Sequence, residues 1–161
     1  MFSQELTAIQ DRLANFSPRS KVWIYYSGKP FAPHENVIQE QVTAYTENWT
    51  SHGSQVTAAG FVLSNHIILL VADTNLGEVS GCSTDSSIRF MTNLGKEYEL
   101  DFFDRNLVLV LIKGIIQVTN IHNLKNYPAD ALVFNPFFSD LQEWRSHFTQ
   151  SLTASKYKSF I

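Results

Sequence analysis

Apolar residues recur along the chain at two different spacings, which predict an alternation of helices and strands. Between Ser3 and Pro18 the spacing is helical, so the chain is expected to begin with an amphipathic helix. Residues 21–27 are largely β-branched or aromatic, which is typical of a strand. A second helix is predicted over residues 35–51. Its apolar stripe consists of Ile38, Val42, Tyr45 and Trp49.

Two pairs of strands with short connections are predicted to be hairpins. The turn sequence is Ser64-Asn65 in the first pair and Lys113-Gly114 in the second. The second strand of the first pair is apolar on both faces, which indicates a central strand covered on two sides. The four predicted strands cover residues 56–63, 66–72, 107–112 and 115–119.

The remaining segments predict two more helices. A loop of small residues at 73–82 precedes a third helix, which is expected to end near Gly95. A short extended piece at 131–134 precedes a last helix with Pro136 near its first turn. One face of this last helix is predicted to carry Phe137, Leu141, Trp144 and Phe148.

The order of these elements favours an α+β fold. Without the terminal helices, the first six elements follow the split β-α-β order of ferredoxin-like domains. That topology gives an antiparallel sheet with the first and third strands at its centre and two helices on one face. We therefore predict one domain over residues 1–161, with a ferredoxin-like core and helical additions at the N and C termini.

Composition changes this picture mainly through its aromatic content. Charged residues make up 17% of the chain, where about 25% is usual, and aromatic residues make up 13%. The aromatic segment at 134–148 exceeds what a minimal ferredoxin-like sheet needs. We expect it to form an extra covering layer, with a homodimer through the same segment as the alternative.

Charge and hydropathy also narrow the classes of partner. A net charge of −3 argues against a nucleic-acid partner, which normally needs a basic face. The longest apolar run, around residues 67–72, is far below the roughly 18 residues of a membrane span, so no span is predicted. The polar N-terminal residues and the single cysteine, Cys82, favour a cytoplasmic location.

The predicted topology brings one candidate site together. The end of the second helix and the start of the third should lie at the same end of the sheet, which places His52 beside the Cys82 segment (residues 81–86), where Asp73 also leaves its strand. A helix N-terminus favours anions and lowers a thiol pKa. The predicted ligand-binding residues are Gly81, Cys82, Ser83, Thr84, Asp85 and Ser86.

These residues support several hypotheses. The first is that the segment Gly81-Cys82-Ser83 binds a small anionic ligand or a protein partner. The second is a thiol-dependent enzyme, with Cys82 as nucleophile, His52 as base and Asp73 as a further candidate. The third is a structural or oligomerisation protein, in which the hydroxyl residues only cap a helix and His52 only ends one.

Other motifs point away from metals and nucleotides. The histidines at 34, 66, 122 and 147 lack metal-ligand spacing, so neither a metal nor a cofactor is predicted. The Gly28-Lys29 pair lacks the rest of a P-loop. Asp101, Asp104 and Arg105 are expected to form a surface ion pair.

Four sequence segments together resemble a family of short bacterial proteins that are often labelled ABC transporter ATPases. They are residues 49–53, 80–87, 103–105 and 132–135, and the most specific contains Gly81-Cys82-Ser83 and Asp85. The resemblance runs from about Val22 to Phe138 and points to the Cys82 segment as the site. Because no P-loop is present, ATP hydrolysis does not follow from it.

Overall fold

The structure, a computed structural model, describes residues 2–51, 53–73 and 81–161, without the side chains at 51 and 81–83. Its helices and strands in chain order are α1 Phe2–Arg12, β1 Lys21–Tyr26, α2 Glu35–Glu47, β2 Thr50–Ser51, β3 Ser54–Gln55, β4 Ala58–Leu63, β5 Ile67–Ala72, α3 Gly81–Tyr98, β6 Leu107–Ile112, β7 Ile115–Asn120, β8 Leu132–Phe134, α4 Leu141–His147 and β9 Thr149–Ser151. Short 3-10 helices cover Ile121–Asn126, Leu152–Ala154 and Lys158–Phe160. No helix in these described ranges is long and apolar enough to cross a membrane.

The first sheet has the order β1-β5-β4, with all pairs antiparallel. Every residue of β5 is fully buried, as its uninterrupted apolar sequence predicts. Its odd-numbered side chains pack with α1 and α4, and its even-numbered side chains pack with α2 and α3. The sheet is therefore covered by helices on both faces, and α2 and α3 share one face as predicted.

The second sheet has the order β7-β6-β8-β9 and is also antiparallel. Strand β6 is bonded to β7 on one edge and to β8 on the other, so no edge of β6 remains for β1. The α+β class is confirmed, but the single ferredoxin-like sheet is not. In the first sheet β5 is central and β1 lies at the edge.

Both predicted hairpins are present. Residues 64–66 connect β4 to β5, with φ of 51° at Ser64 and 67° at Asn65, and Lys113 and Gly114 connect β6 to β7 with φ of 51° and 78°. Positive φ at consecutive positions is what a tight hairpin turn demands, and it favours asparagine and glycine. Local turn chemistry therefore predicted both turns, although β5 begins one residue later than predicted, at Ile67.

The third helix is longer than predicted at both ends. It starts at Gly81, so Cys82 lies in its first turn instead of ahead of it. It also continues past Gly95 to Tyr98 and ends where Glu99 adopts a positive φ of 57°. The N–H of Leu100 then bonds to the carbonyl of Gly95 at 2.8 Å, which satisfies one of the last helical carbonyls.

The last helix is shorter than predicted, because its start is set by Asp140. The Asp140 carboxylate accepts a 2.9 Å hydrogen bond from the N–H of Glu143, which caps a helix that begins at Leu141. Trp144 and Phe148 are buried against α1 and the first sheet, which confirms the covering layer. Phe137 is the exception, because it precedes the helix and is 63% exposed.

The outer edge of β4 is closed by a side chain of α2. The Gln39 amide accepts a 2.8 Å hydrogen bond from the N–H of Val62 and donates one of 3.1 Å to the carbonyl of Gly60. One carboxamide thus pairs with the strand as a neighbouring peptide group would. This covers an edge that would otherwise be open to another chain.

Candidate functional site

The end of α2 lies beside the start of α3, as the predicted topology requires. The Tyr45 hydroxyl is 2.8 Å from the Ser86 hydroxyl, and at the other end Gln41 donates a 3.0 Å hydrogen bond to the Glu97 carboxylate. These two contacts show that α2 and α3 run antiparallel to each other. The Cys82 segment therefore begins next to the last turns of α2.

The structure accounts for only part of the predicted site. His52 lies outside the described residues, and so do the side chains of Cys82 and Ser83. The backbone of Gly81, Cys82 and Ser83 forms the first turn of α3. Asp73 accepts hydrogen bonds from the Ser17 N–H at 3.3 Å and the Ser20 hydroxyl at 3.4 Å. The Asp73 carboxylate therefore contacts the connection between α1 and β1.

Of the other predicted residues, Thr84 and Ser86 have hydrogen-bond partners within the helix layer. The carbonyl of Thr84 accepts a 2.8 Å hydrogen bond from the Ser87 hydroxyl, and Asp85 is exposed. Ser86 bonds to Tyr45 as described above. Anion binding at the Cys82 segment stays a prediction.

Two tyrosines lie beside this segment, and the sequence did not predict their contacts with it. The Tyr25 hydroxyl lies 3.1 Å from that of Ser87, and the ring of Tyr45 stacks on Phe90 with 4.3 Å between centroids. Burial raises the pKa of both phenols, more than their serine hydrogen bonds lower it. They therefore stay protonated at neutral pH and act as hydrogen-bonding and packing groups. Tyr45 belongs to the predicted stripe of α2, so its ring was expected in the core, but its partner could not be read from spacing.

A second site, a cleft beside β1, has more complete geometry. Its volume is about 760 Å³, and it lies between β1, the connection from α3 to β6, and the C-terminal segment. The side chains of Leu107 and Val118 come nearest to Gly28, just beyond the end of β1. The residues that line this β1 cleft are Ile24, Tyr26, Phe102, Phe103, Asp104, Arg105, Leu107, Ile121, Pro136, Phe137, Lys156, Tyr157 and Phe160.

Three phenylalanines of the β1 cleft remain unusually open to solvent. Phe103 is 46% exposed, Phe137 is 63% exposed and Phe160 is 47% exposed. They come from three separate parts of the chain, yet they meet around one concave surface. Exposed apolar side chains scattered singly are ordinary, whereas a contiguous set around a cleft marks a binding surface.

The wall that carries Phe137 is held by a buried amide. Asn135 donates to the carbonyl of His147 at 2.7 Å and to the Gln150 side chain at 2.8 Å, and its side-chain oxygen accepts from the N–H of Lys156 at 2.9 Å. Its own carbonyl accepts from the Tyr26 hydroxyl at 2.5 Å. A fully buried asparagine thus joins β1, α4 and the C-terminal segment on one side of the cleft.

The two cationic side chains of the cleft differ in whether a carboxylate pairs with them. The Lys156 ammonium is 2.6 Å from the Glu143 carboxylate and 4.0 Å from the centroid of the Phe137 ring. Hydrogen bonds from Lys156 and from Ser139 lower the pKa of Glu143 to about 2. Arg105 is exposed and has no hydrogen bond or ion pair with any other described residue. The cleft therefore offers the Arg105 guanidinium, which no carboxylate of the described ranges neutralises.

The expected ion pair of Arg105 is absent from the described part of the chain for a local reason. Asp101 accepts the N–H of Phe103 at 2.8 Å, and Asp104 accepts the N–H of Asn106 at 2.9 Å. Both carboxylates stabilise turns by accepting the backbone N–H two residues further along the chain, as aspartate commonly does. The prediction of a surface ion pair was wrong at this position.

The two tyrosines that line the cleft have raised pKa values. Burial raises the pKa of Tyr157 to about 12, and burial together with the neighbouring Tyr157 raises that of Tyr26 well above its ordinary value. Both phenols are neutral at physiological pH. In the described ranges, no group of three or more His, Cys, Asp or Glu residues is placed to hold a metal ion.

Comparisons with protein-family models, with curated proteins and with solved structures find no match to this chain. The resemblance to the short bacterial family therefore stays a prediction from the sequence.

Proposed function

We propose that the protein is a binding protein whose β1 cleft holds a predominantly apolar ligand with an acidic group. One observation carries this proposal: Phe103, Phe137 and Phe160 converge on a cleft of about 760 Å³ while each stays at least 46% exposed. Such side chains leave apolar surface in water until a ligand covers it.

The size and chemistry of the cleft support binding. Ligand sites typically have volumes of roughly 300–1,000 Å³, with mostly apolar walls and a few polar groups that orient the ligand. The β1 cleft fits this description, with Arg105 and the Tyr157 phenol among its polar lining. Because Glu143 already neutralises Lys156, Arg105 is the group that would meet an acidic ligand.

A pair of fluorescent dyes tests this proposal. The anionic dye 8-anilinonaphthalene-1-sulfonate and its neutral analogue N-phenyl-1-naphthylamine share an apolar aromatic body. We expect Phe137→Ser to weaken binding of both dyes about fivefold or more, because the ring supplies apolar contact area. We expect Arg105→Gln to weaken only the anionic dye, by about two- to fivefold, because an exposed charge pair contributes at most ~1 kcal/mol.

The matched control is Ile115→Ser on β7. Ile115 is 67% exposed, close to the 63% of Phe137, and it does not line the cleft. It should leave both dye affinities unchanged. If Ile115→Ser and Phe137→Ser have equal effects, or if the dyes bind without a defined stoichiometry, the cleft is not the binding site.

Ligand binding at Gly81-Cys82-Ser83, with a small anion or a protein as partner, stays a separate proposal. It is supported by the position of these residues in the first turn of α3, since helix N-termini favour anions. So does the thiol enzyme with Cys82 and His52. A cytoplasmic location and a homodimer through residues 134–148 also stay proposals, supported by the single cysteine and by the aromatic content of that segment.

A further inference from the structure

The two outer edges of the first sheet are treated differently. The edge of β4 is paired by the Gln39 amide, as described above. Just after β1, the backbone N–H of Ser27 donates a 2.8 Å hydrogen bond to the carbonyl of His66, which shows which residues of β1 bond to β5 and which point away from it. By that alternation, Trp23 and Tyr25 bond to β5, whereas Val22, Ile24 and Tyr26 turn their backbone groups outward.

Among the described residues, the outward backbone groups of β1 have no hydrogen-bond partner. No other described residue hydrogen bonds with the N–H or the C=O of Val22, Ile24 or Tyr26. These three residues are also only partly buried. An edge with a row of free donors and acceptors is a template for pairing with another chain.

The free edge and the β1 cleft coincide. Ile24 and Tyr26 are the β1 residues that line the cleft, and they are two of the three residues with outward backbone groups. The aromatic rings of Phe103, Phe137 and Phe160 lie around the same space. The cleft therefore offers backbone pairing along one wall and apolar contacts on the others.

We infer that the occupant of the β1 cleft is an extended peptide segment of a partner protein, which adds to the free edge of β1 as a further strand; this inference rests on the proposed binding function of the cleft. An extended peptide backbone supplies donors and acceptors that match Ile24 and Tyr26 together, whereas a single carboxamide such as that of Gln39 pairs at one position of a strand. Apolar side chains of the segment contact the three phenylalanines. An acidic side chain or terminal carboxylate contacts Arg105.

Backbone methylation of a peptide probe tests strand pairing directly. The probe is a panel of fluorescein-labelled hexapeptides with Ile, Val or Phe at alternate positions, Thr between them and Asp at one end. Each peptide that binds is compared with two copies, N-methylated at its odd or at its even residues. We expect one copy to bind about tenfold or more weakly and the other to bind as the parent does, because only one edge of a strand faces β1.

Hydrogen exchange of the wild-type protein supplies a second readout. Saturation with the peptide should slow exchange at the amides of Val22, Ile24 and Tyr26 by about tenfold or more. The amide of Val62 is the internal control, because it already bonds to Gln39 on the opposite edge and should not change. Slowed exchange confined to Ile24 and its outward neighbours supports the inference.

The outcomes separate this inference from the proposed function. If the two methylated copies lose affinity equally, or if no peptide binds while the dyes bind in a manner sensitive to Phe137→Ser, strand addition is wrong and the binding function stands. If neither dye nor peptide binds, both are wrong. If the wild-type protein sediments as a dimer whose formation excludes the dyes, a second copy covers the edge and the inference is overturned.

Discussion

Replacing Gly60 with alanine should push α2 away from the first sheet. A Cβ at this position of β4 would lie 2.4 Å from Cγ1 of Val42, 3.0 Å from Cγ2 of Thr46 and 3.2 Å from Cδ2 of Leu70. Carbon atoms in contact prefer about 3.5–4.0 Å, so the nearest pair must separate by more than an ångström. Val42 is β-branched and rotates poorly in a helix, so the helix itself has to move.

The expected cost follows from two opposing effects. Forcing an extra carbon into a packed core costs about 1–3 kcal/mol. Replacing glycine in a strand interior returns about 0.5–1 kcal/mol, because alanine loses less backbone freedom on folding. We therefore expect Gly60→Ala to lower the free energy of unfolding by up to about 2.5 kcal/mol, and to weaken the hydrogen bond between Gln39 and the Gly60 carbonyl as α2 shifts.

Urea unfolding followed by circular dichroism measures this cost. The matched control is Gly28→Ala, because a Cβ there meets nothing closer than 3.4 Å and should change stability little. The double variant Val42→Ala/Gly60→Ala should cost less than the sum of the single variants, by about 0.5–3 kcal/mol, since the truncated side chain removes the clash. If Gly60→Ala costs no more than Gly28→Ala, or if the two single costs simply add, the close approach of α2 is not what requires glycine.

Three further predictions concern α3, the cleft wall and the thiol. Gly95→Ala should lower the thermal midpoint, since its Cβ would lie 2.5 Å from the backbone oxygen of Leu100; a midpoint equal to wild type contradicts the close approach. Glu143→Gln should destabilise the protein at pH 7, and in urea titrations its stability gap to wild type should close as the pH falls from about 4.5 toward about 2. The sign follows because the lowered pKa of Glu143 makes the pair with Lys156 stabilising above its ordinary pKa of 4.5, and this stabilisation is lost as the carboxylate is protonated; a gap that is independent of pH refutes it. Alkylation of Cys82 followed against pH should report a thiol pKa below about 8.5 if the thiol is reactive, and a pKa at or above that value, or no labelling of the folded protein, rules out the thiol enzyme.

Hairpins were predictable from the sequence because their determinants are local. Ser64-Asn65 and Lys113-Gly114 each sit between runs of strand-forming residues, and a tight turn needs only those two positions to accept positive φ. The burial of β5 was equally direct, since a run of apolar residues needs cover on both faces. The assignment of β6 to a second sheet was not predictable, because strand partners depend on distant segments.

The candidate sites were also predictable only where they depend on neighbouring elements of the chain. The neighbourhood of α2 and the Cys82 segment followed from connectivity alone, and Tyr45 and Ser86 bear it out. The β1 cleft brings together residues from positions as far apart as Ile24 and Phe160, and its aromatic residues carry no spacing that links them. In a sequence, an exposed phenylalanine such as Phe137 cannot be told from a buried one such as Phe138, because only the fold decides which side chain faces the core.

The β1 cleft exists because the first sheet departs from the ferredoxin-like strand order. In the ferredoxin-like order the fourth strand would lie against β1 and take up the backbone groups of Ile24 and Tyr26. Because β6 pairs with β7 and β8 instead, no strand of the described residues lies beside β1 at that place, and the connection from α3 to β6, Leu107 of β6 and the C-terminal segment line the cleft there. A peptide that binds there completes the strand order that the sequence predicts, with a strand from another molecule in the position of β6.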